Sequence, residues 1–305
     1  MNDEEKTIRD LLQSAGPRPA MTAEDEAIRQ AARGVWQARY ARKSRRTVWL
    51  ALAAASIAGL TLAWWIATRD SEPMSPLVAA HVEKSSGVGS LSPGEALLAG
   101  ATVDTENGRA ALRMPGLQSV RLDVGTRIRL LAPALVQLDR GAVYVDSAHR
   151  GRVVIRTSAG DVSPAGTQFE VRVDGSRLRV RVREGNVTIA SRLAAAAGDE
   201  ISVDRGRVTR GRIAAADPAW DWTQAVSPVP EIEGRSVRMF LDWIAREKGW
   251  RLRFASPKAE SLGNTTIMHG SVRELTPADA LSTVMMSAGM EYRVEGGELI
   301  VSGVR

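Results

Sequence analysis

The chain reads as a membrane-anchored protein: a single transmembrane helix, an all-β domain beyond it, then a small α+β domain. Three observations predict this. Val48 to Ala67 reads VWLALAAASIAGLTLAWWIA and carries no charged residue. From about residue 80 the apolar period becomes two, the spacing of strands with one buried face. From Ser236 onward, helical spacing alternates with short strands.

At ~1.5 Å per residue, Val48–Ala67 is long enough to cross a hydrocarbon core of ~30 Å. Trp49, Trp64 and Trp65 are expected at the membrane–water interfaces, where an indole is half buried and its N–H stays wet. The basic flank Arg39, Arg42, Lys43, Arg45 and Arg46 is expected to hold residues 1–47 in the cytoplasm and to put everything beyond the span on the far side. A buried core helix is one rival reading, set aside by the length, the basic flank and the Trp at both ends; a signal peptide is the other. Against it stand the acidic leader (Asp3, Glu4, Glu5) and the close of the apolar run on Trp64-Trp65-Ile66, without a small-residue cleavage site. Ala51, Ala55, Gly59 and Ala63 form a small-residue stripe, which is either lipid-facing filler or the contact of a homodimer.

Composition excludes several classes. With no cysteine among 305 residues, neither a disulfide framework nor a thiolate zinc site is available. His81, His149 and His269 are scattered, without metal-ligand spacing. There is no P-loop and no nucleophile elbow, and Gly87-Val88-Gly89 lacks the third glycine of a dinucleotide site. Catalytic residues, cofactor and metal are each predicted to be none, and an enzyme is not expected. The net charge of +6 owes much to the cluster before the span, which anionic lipid explains better than nucleic acid.

In the tail, residues 1–47, Gly16-Pro17 breaks the chain and Thr22 to Asp25 resembles a capping box. Ile28, Ala32, Val35 and Trp36 then recur on one helical face. Either this is a solvated amphipathic helix, or those four residues are the binding face for a cytoplasmic partner.

Residues 68–79 form a linker, and residues 80–222 alternate. Val120, Leu122 and Val124 flank Arg121 and Asp123; Phe169, Val171 and Val173 flank Glu170 and Arg172; Leu178, Val180 and Val182 flank Arg179 and Arg181. Each is expected to be a half-buried strand with one wet face. Asp174-Gly175, Pro115-Gly116 and Arg205-Gly206 mark turns. A Gly-x-Val unit recurs at Gly141, Gly160, Gly185 and Gly206, suggesting strands entered through glycine turns. Trp220 and Trp222 fall on one side if the segment is extended, either as a recognition patch or as packing over the seam between neighbouring domains.

Leu98 to Thr105, Gly108 to Leu112, Val120 to Asp123, Leu138 to Asp146, Val154 to Thr157, Gly166 to Val171 and Val182 to Val187 follow one another here. In that order these segments resemble the FecR family. In this pattern Phe169 is expected to plug the core.

In residues 229–305, Ser236 is expected to cap a helix through Val237, Phe240, Leu241, Ile244 and Ala245 that stops at Lys248-Gly249. Trp250 to Phe254 alternates as a strand and Thr266 to His269 as a shorter one. Thr276-Pro277 opens a second helix, and Gly296-Gly297 joins a terminal hairpin. The order of elements, with Gly270 to Leu281, is similar to the short N-terminal (STN) domain of secretins and TonB-dependent receptors, a module that recognises proteins.

The resemblance implies a single-pass anti-sigma regulator of the bacterial inner membrane, with its N-terminus cytoplasmic and its bulk periplasmic. The implied partners are an extracytoplasmic-function sigma factor inside and an envelope or outer-membrane receptor outside. The tail is shorter than is usual in that family, with Trp36 the one tryptophan before the span. The alternative is an anchored periplasmic scaffold or protein-binding module without anti-sigma activity.

Overall fold

The computed structural model describes residues 23–35, 77–116, 118–147, 152–273 and 275–303. Trp36 and the stretch 48–67, with Trp49, Trp64 and Trp65, lie outside them. Among the described residues no helix is long and apolar enough to cross a membrane. The chain divides into two units, Met1–Pro73 and Met74–Arg305. In the first, residues 23–35 form a helix, α1, exposed along its described length.

The second unit begins with a large, mostly antiparallel sheet. Its strands are β1 (Val78–Ser86), β2 (Ala96–Leu98), β3 (Thr102–Asp104), β4 (Arg109–Arg113), β5 (Ser119–Leu122), β6 (Arg127–Ala132), β7 (Leu135–Asp146) and β8 (Val154–Thr157). They continue through β9 (Gly160–Asp174), β10 (Arg177–Ile189), β11 (Leu193–Ala196), β12 (Asp199–Asp204) and β13 (Arg207–Arg212). The hydrogen-bonded order is β13-β12-β10-β9-β8-β7-β5-β4-β1-β2, with β11 on β10, β6 bridging β3 and β7, and β9 also on β7. The expected turns after Arg113, Asp174 and Asp204 join β4 to β5, β9 to β10 and β12 to β13.

The Gly-x-Val units do not all enter strands. Gly141 and Gly185 lie inside β7 and β10. At Gly141 (φ +85°) a Cβ would lie 2.5 Å from the Thr126 Cα. Only glycine allows that approach, and β7 changes partner there. Before the bend Leu135–Gln137 pair in parallel with β8; after it Gly141–Asp146 pair with β9. At Gly185 (φ +77°) a Cβ would meet the Gly166 carbonyl at 2.7 Å, where β10 bulges against β9.

One face of this sheet is apolar. Register lines up Leu112, Val120, Val145, Phe169 and Val182 in a row across five strands, and each is fully buried. Phe169 does plug the core.

After β13 the chain turns helical. Pro218–Trp220 is a 3-10 turn capped by Asp217, running into a short helix, α2 (Asp221–Gln224). The two tryptophans are therefore not on an extended segment. The last part contains α3 (Val237–Lys248), β14 (Arg251–Phe254), α4 (Pro257–Thr265), α5 (Pro277–Ser287), β15 (Met290–Glu295) and β16 (Glu298–Gly303). Ser236 accepts from the Met239 N–H, and Gly249 at φ +68° ends α3 in the left-handed conformation. Thr276 caps α5 with Pro277 in its first turn. The sheet order is β14-β16-β15, with β14 parallel to β16. Val237, Phe240, Leu241 and Ile244 pack with Ala280, Leu281, Val284, Leu299 and Val301 in a core of their own. One expectation fails and one helix was not expected. Thr266–His269 contributes one isolated bridge, Ser236 to Ile267, rather than a strand. Pro257–Thr265 is a helix, capped by Ser256 with Pro257 in its first turn.

Candidate functional site

The opposite face of the same strands is not wet. Register sets Arg121 beside Tyr144, Tyr144 beside Glu170, Glu170 beside Arg181 and Arg181 beside Glu200. A second row carries Ser119, Asp146, Gln168 and Glu184. Arg121 is 1% exposed, Tyr144 and Glu170 fully buried, and Arg183 5% exposed. The cover is the segment from Ala214 to Trp250. The expectation of a solvated face is corrected here, because a second module docks on it.

The central contact joins Arg121 to Glu247 on the last turn of α3. The guanidinium donates to both carboxylate oxygens at 2.7 Å and also reaches the Thr223 carbonyl at 3.2 Å. Such two-pronged geometry is the strongest form of this pair. Burial alone would lower the Arg121 pKa, but the Glu247 charge and hydrogen bonds outweigh it and hold the guanidinium firmly charged. Glu247 is 3% exposed and sits at the helix C-terminus, where the backbone dipole disfavours an anion. Arg121 supplies the compensation.

Around this pair lie three further clamps. Arg246 donates to Asp146 at 2.6 Å and to Glu184 at 2.5 Å, and Gln168 donates to the same Asp146 at 2.9 Å. Burial pushes the Asp146 carboxyl up, but the hydrogen bond and charge of Arg246 pull it below its ordinary value. Arg183 donates to the Ala215 carbonyl at 2.7 Å and the Glu247 carbonyl at 3.0 Å. Glu170 accepts from the Trp222 indole at 2.9 Å and from Arg179 at 3.0 Å. Trp220 meets the Tyr144 ring edge-on at 6.0 Å and donates to the Ala214 carbonyl. Among the described residues the buried Tyr144 hydroxyl has no hydrogen-bond partner, and burial, aided by Asp146, pushes its pKa well up. At Gly249 a Cβ would lie 2.1 Å from the Ala215 carbonyl oxygen, so the seam closes only over a bare backbone.

Among the described residues of this seam no nucleophile is paired with a base. Among the described residues no group of three His, Cys, Asp or Glu side chains is placed to hold a metal. What the arrangement can do is hold two modules in one register.

Residues 101–188 match the family model described as FecR protein. The chain carries a FecR-family domain. The sheet residues that clamp the module, Arg121, Asp146, Gln168, Glu170, Arg183 and Glu184, lie inside the FecR match, whereas Arg246 and Glu247 lie outside it. The match is narrower than the resemblance read over residues 80–222. No curated protein matches the chain. Two crystal structures of a "putative anti-sigma factor" from Parabacteroides distasonis ATCC 8503, at 2.50 and 1.65 Å resolution, align with it. Each is 16% identical with a TM-score of 0.36, over 67% of this chain and 99% or 100% of the other.

Of the seam residues, Trp220 and Trp222 were singled out by sequence as packing between neighbouring domains, and they do pack there, on Tyr144 and Glu170; the charged clamps were not. One signal was available. Glu247 continues the spacing of Phe240 and Ile244, so a carboxylate stands on the apolar face of α3. Of the residues expected to bind a cytoplasmic partner, Ile28, Ala32 and Val35 lie on α1, with Ile28 and Val35 each 67% exposed.

Proposed function

We propose that the chain is a FecR-type regulator of the bacterial inner membrane that relays an envelope signal to an extracytoplasmic-function sigma factor. The observation that carries this reading is the FecR-family match over residues 101–188. The stretch Val48–Ala67 would be its single span, with Trp49, Trp64 and Trp65 at the lipid interfaces, residues 1–47 in the cytoplasm and the rest in the periplasm. Ile28, Ala32, Val35 and Trp36 would bind the sigma factor; the exposure of Ile28 and Val35 on α1 supports this, since burial against a partner is favourable for both. The C-terminal module, read as STN-like, would meet the receptor. The seam would pass the event on, because α3 carries both the module's core residues and the Arg246–Glu247 clamp.

The test uses the full chain in its native cell. Wild type recovers a sigma factor on pull-down, and an Ile28→Asp, Val35→Asp double variant loses it and releases a sigma-dependent promoter. If neither chain recovers a sigma factor and no such promoter responds, the anchored scaffold is the better reading. Alkaline phosphatase fused after residue 90 should be active; an inactive fusion would overturn the topology.

A further inference from the structure

We propose that the outer edge of β15 pairs, antiparallel and about a two-fold axis through Tyr292, with β15 of a second copy of this chain. β15 ends the order β14-β16-β15, so among the described residues no strand covers its outer edge. Apart from Met290 its residues are all exposed. Tyr292 and Val294 pair with Val301 and Leu299 of β16, which lie in the module's core. They therefore stand on the core face, yet are 37% and 41% exposed. The core layer runs out to the edge and stops uncovered, with Met286 of α5, 81% exposed, on the helix that hydrogen-bonds Tyr292 through Ser282.

Backbone parity limits the registers that a second copy can take, and charge selects among them. Glu295 and Glu298 close the hairpin over Gly296-Gly297. The pair closing a two-residue hairpin exchanges both backbone hydrogen bonds, and these alternate along the ladder. Residues 291, 293 and 295 thus spend their groups on β16, and residues 290, 292 and 294 point theirs outward. In a paired dimer the outward residues 290, 292 and 294 of one copy must face outward residues of the other, which allows an axis through any residue from 291 to 294 and leaves the charges to choose among them. The outer face reads Glu291, Arg293, Glu295. An axis through Arg293 would set arginine on arginine and glutamate on glutamate. An axis through Tyr292 sets Glu291 against Arg293 of the second copy twice over, and Tyr292 against Tyr292. An axis through Val294 also pairs charges, but its register runs into the glycine turn, whereas the Tyr292 register keeps residues 290–294 within the strand.

The other exposed edge makes the contrast. β13 carries Arg207, Arg210 and Arg212, and is exposed throughout. A repeated cation is a common way of keeping an edge unpaired. β15 has neither a cationic run nor proline.

An edge this short buries less than the ~1,600 Å² of a standard interface, so the pairing is reversible and must be trapped. The chain has no cysteine, so one introduced thiol is unique. In the proposed register Cα292 faces its copy at ~5.5 Å, within the ~4.4–6.8 Å reach of a disulfide. Purified full-length Tyr292→Cys in detergent should oxidise to a covalent dimer, in clear excess over Thr209→Cys on β13. Because Tyr292→Cys removes a ring that the pairing uses, a second trap mixes Glu291→Cys with Arg293→Cys chains, which should bridge more than either alone. Adding Arg293→Glu to Tyr292→Cys should cut the dimer about tenfold, as like charges then face each other twice. Adding Glu291→Arg as well should restore it. Equal yields at residues 292 and 209, or indifference to Arg293→Glu, would overturn the proposal. The experiment does not depend on the regulator reading, since no sigma factor or receptor is present.

Discussion

Leu112, Val120, Val145, Phe169 and Val182 form one row of the sheet; Arg121, Tyr144, Glu170 and Arg181 form the row behind it, on the same strands. The first is fully buried and so, except for Arg181, is the second. Burial alone therefore does not distinguish core from seam. The apolar row has nowhere to go but inward, because water gains nothing by solvating it. The polar row regains hydration if the C-terminal module lifts away, which offsets part of the ion-pair energy lost. A seam of this kind fixes register firmly and still allows separation without unfolding either core.

The largest effects should separate the two rows. Phe169→Ala should cost ~3–5 kcal/mol in chemical denaturation of residues 74–305, felt by the sheet itself. Glu247→Ala leaves the Arg121 guanidinium buried without its anion, which typically costs ~3–5 kcal/mol. That loss should fall on docking: proteolysis between residues 225 and 235 accelerates while the sheet keeps its midpoint. Replacing both partners, Arg121→Met with Glu247→Leu, should recover most of the docking, since apolar substitutes for buried pairs are often neutral or better. If Glu247→Ala instead unfolds the sheet together with the module, the two rows form one cooperative core.

Gly249→Ala should come next. The new Cβ would enter a left-handed residue, costing ~1–2 kcal/mol. It also meets the Ala215 carbonyl oxygen at 2.1 Å, so one side of the seam must move. Arg183, which donates to that same oxygen, should lose its hold. The measurable result is a seam as open to protease as in Glu247→Ala, with the helix content of the module unchanged. A variant that stays closed would show that Ala215 yields without consequence.

Period-two alternation located the strands because it reports which side chains face the apolar row. It could not report what lay over the other row. Arg121 and Glu247 are 126 residues apart, and neither carries a local mark of its partner. Glu247 was legible only as an anomaly, a carboxylate on the apolar face of α3, and beside Arg246 and Lys248 it reads as a solvated helix end. The glycines misled for a related reason. Gly141 and Gly185 are required by close backbone approach inside long strands, whereas Gly206 is required by a turn, and the letters alone do not tell those uses apart. Pro257–Thr265 did carry a start signal, Ser256-Pro257, but Gly263 interrupts its apolar spacing. That glycine is packed against the Phe254 ring, where a Cβ would lie 2.9 Å from a ring carbon.

The smallest effect should come from acid. Asp146 faces Arg246 and Gln168, with Arg121 nearby and Glu184 sharing Arg246. Its folded pKa lies below its unfolded one, ordinarily ~3.9. A carboxyl shifted in that direction stabilises the folded state fully above the unfolded pKa, and the contribution disappears as pH falls through the folded value. Docking should therefore be flat from pH 8 to about pH 5 and weaken only below about pH 4. Fluorescence of Trp220 and Trp222 at the seam reads it directly. In Asp146→Asn the neutral amide keeps the shape but loses the charge, so docking at pH 7 should be weaker and the acid step smaller. A full-sized acid step in Asp146→Asn would show that Asp146 is not the group responsible. A step between pH 5 and 7 would contradict the direction of the shift, because no carboxyl held below its ordinary range can lose its proton there.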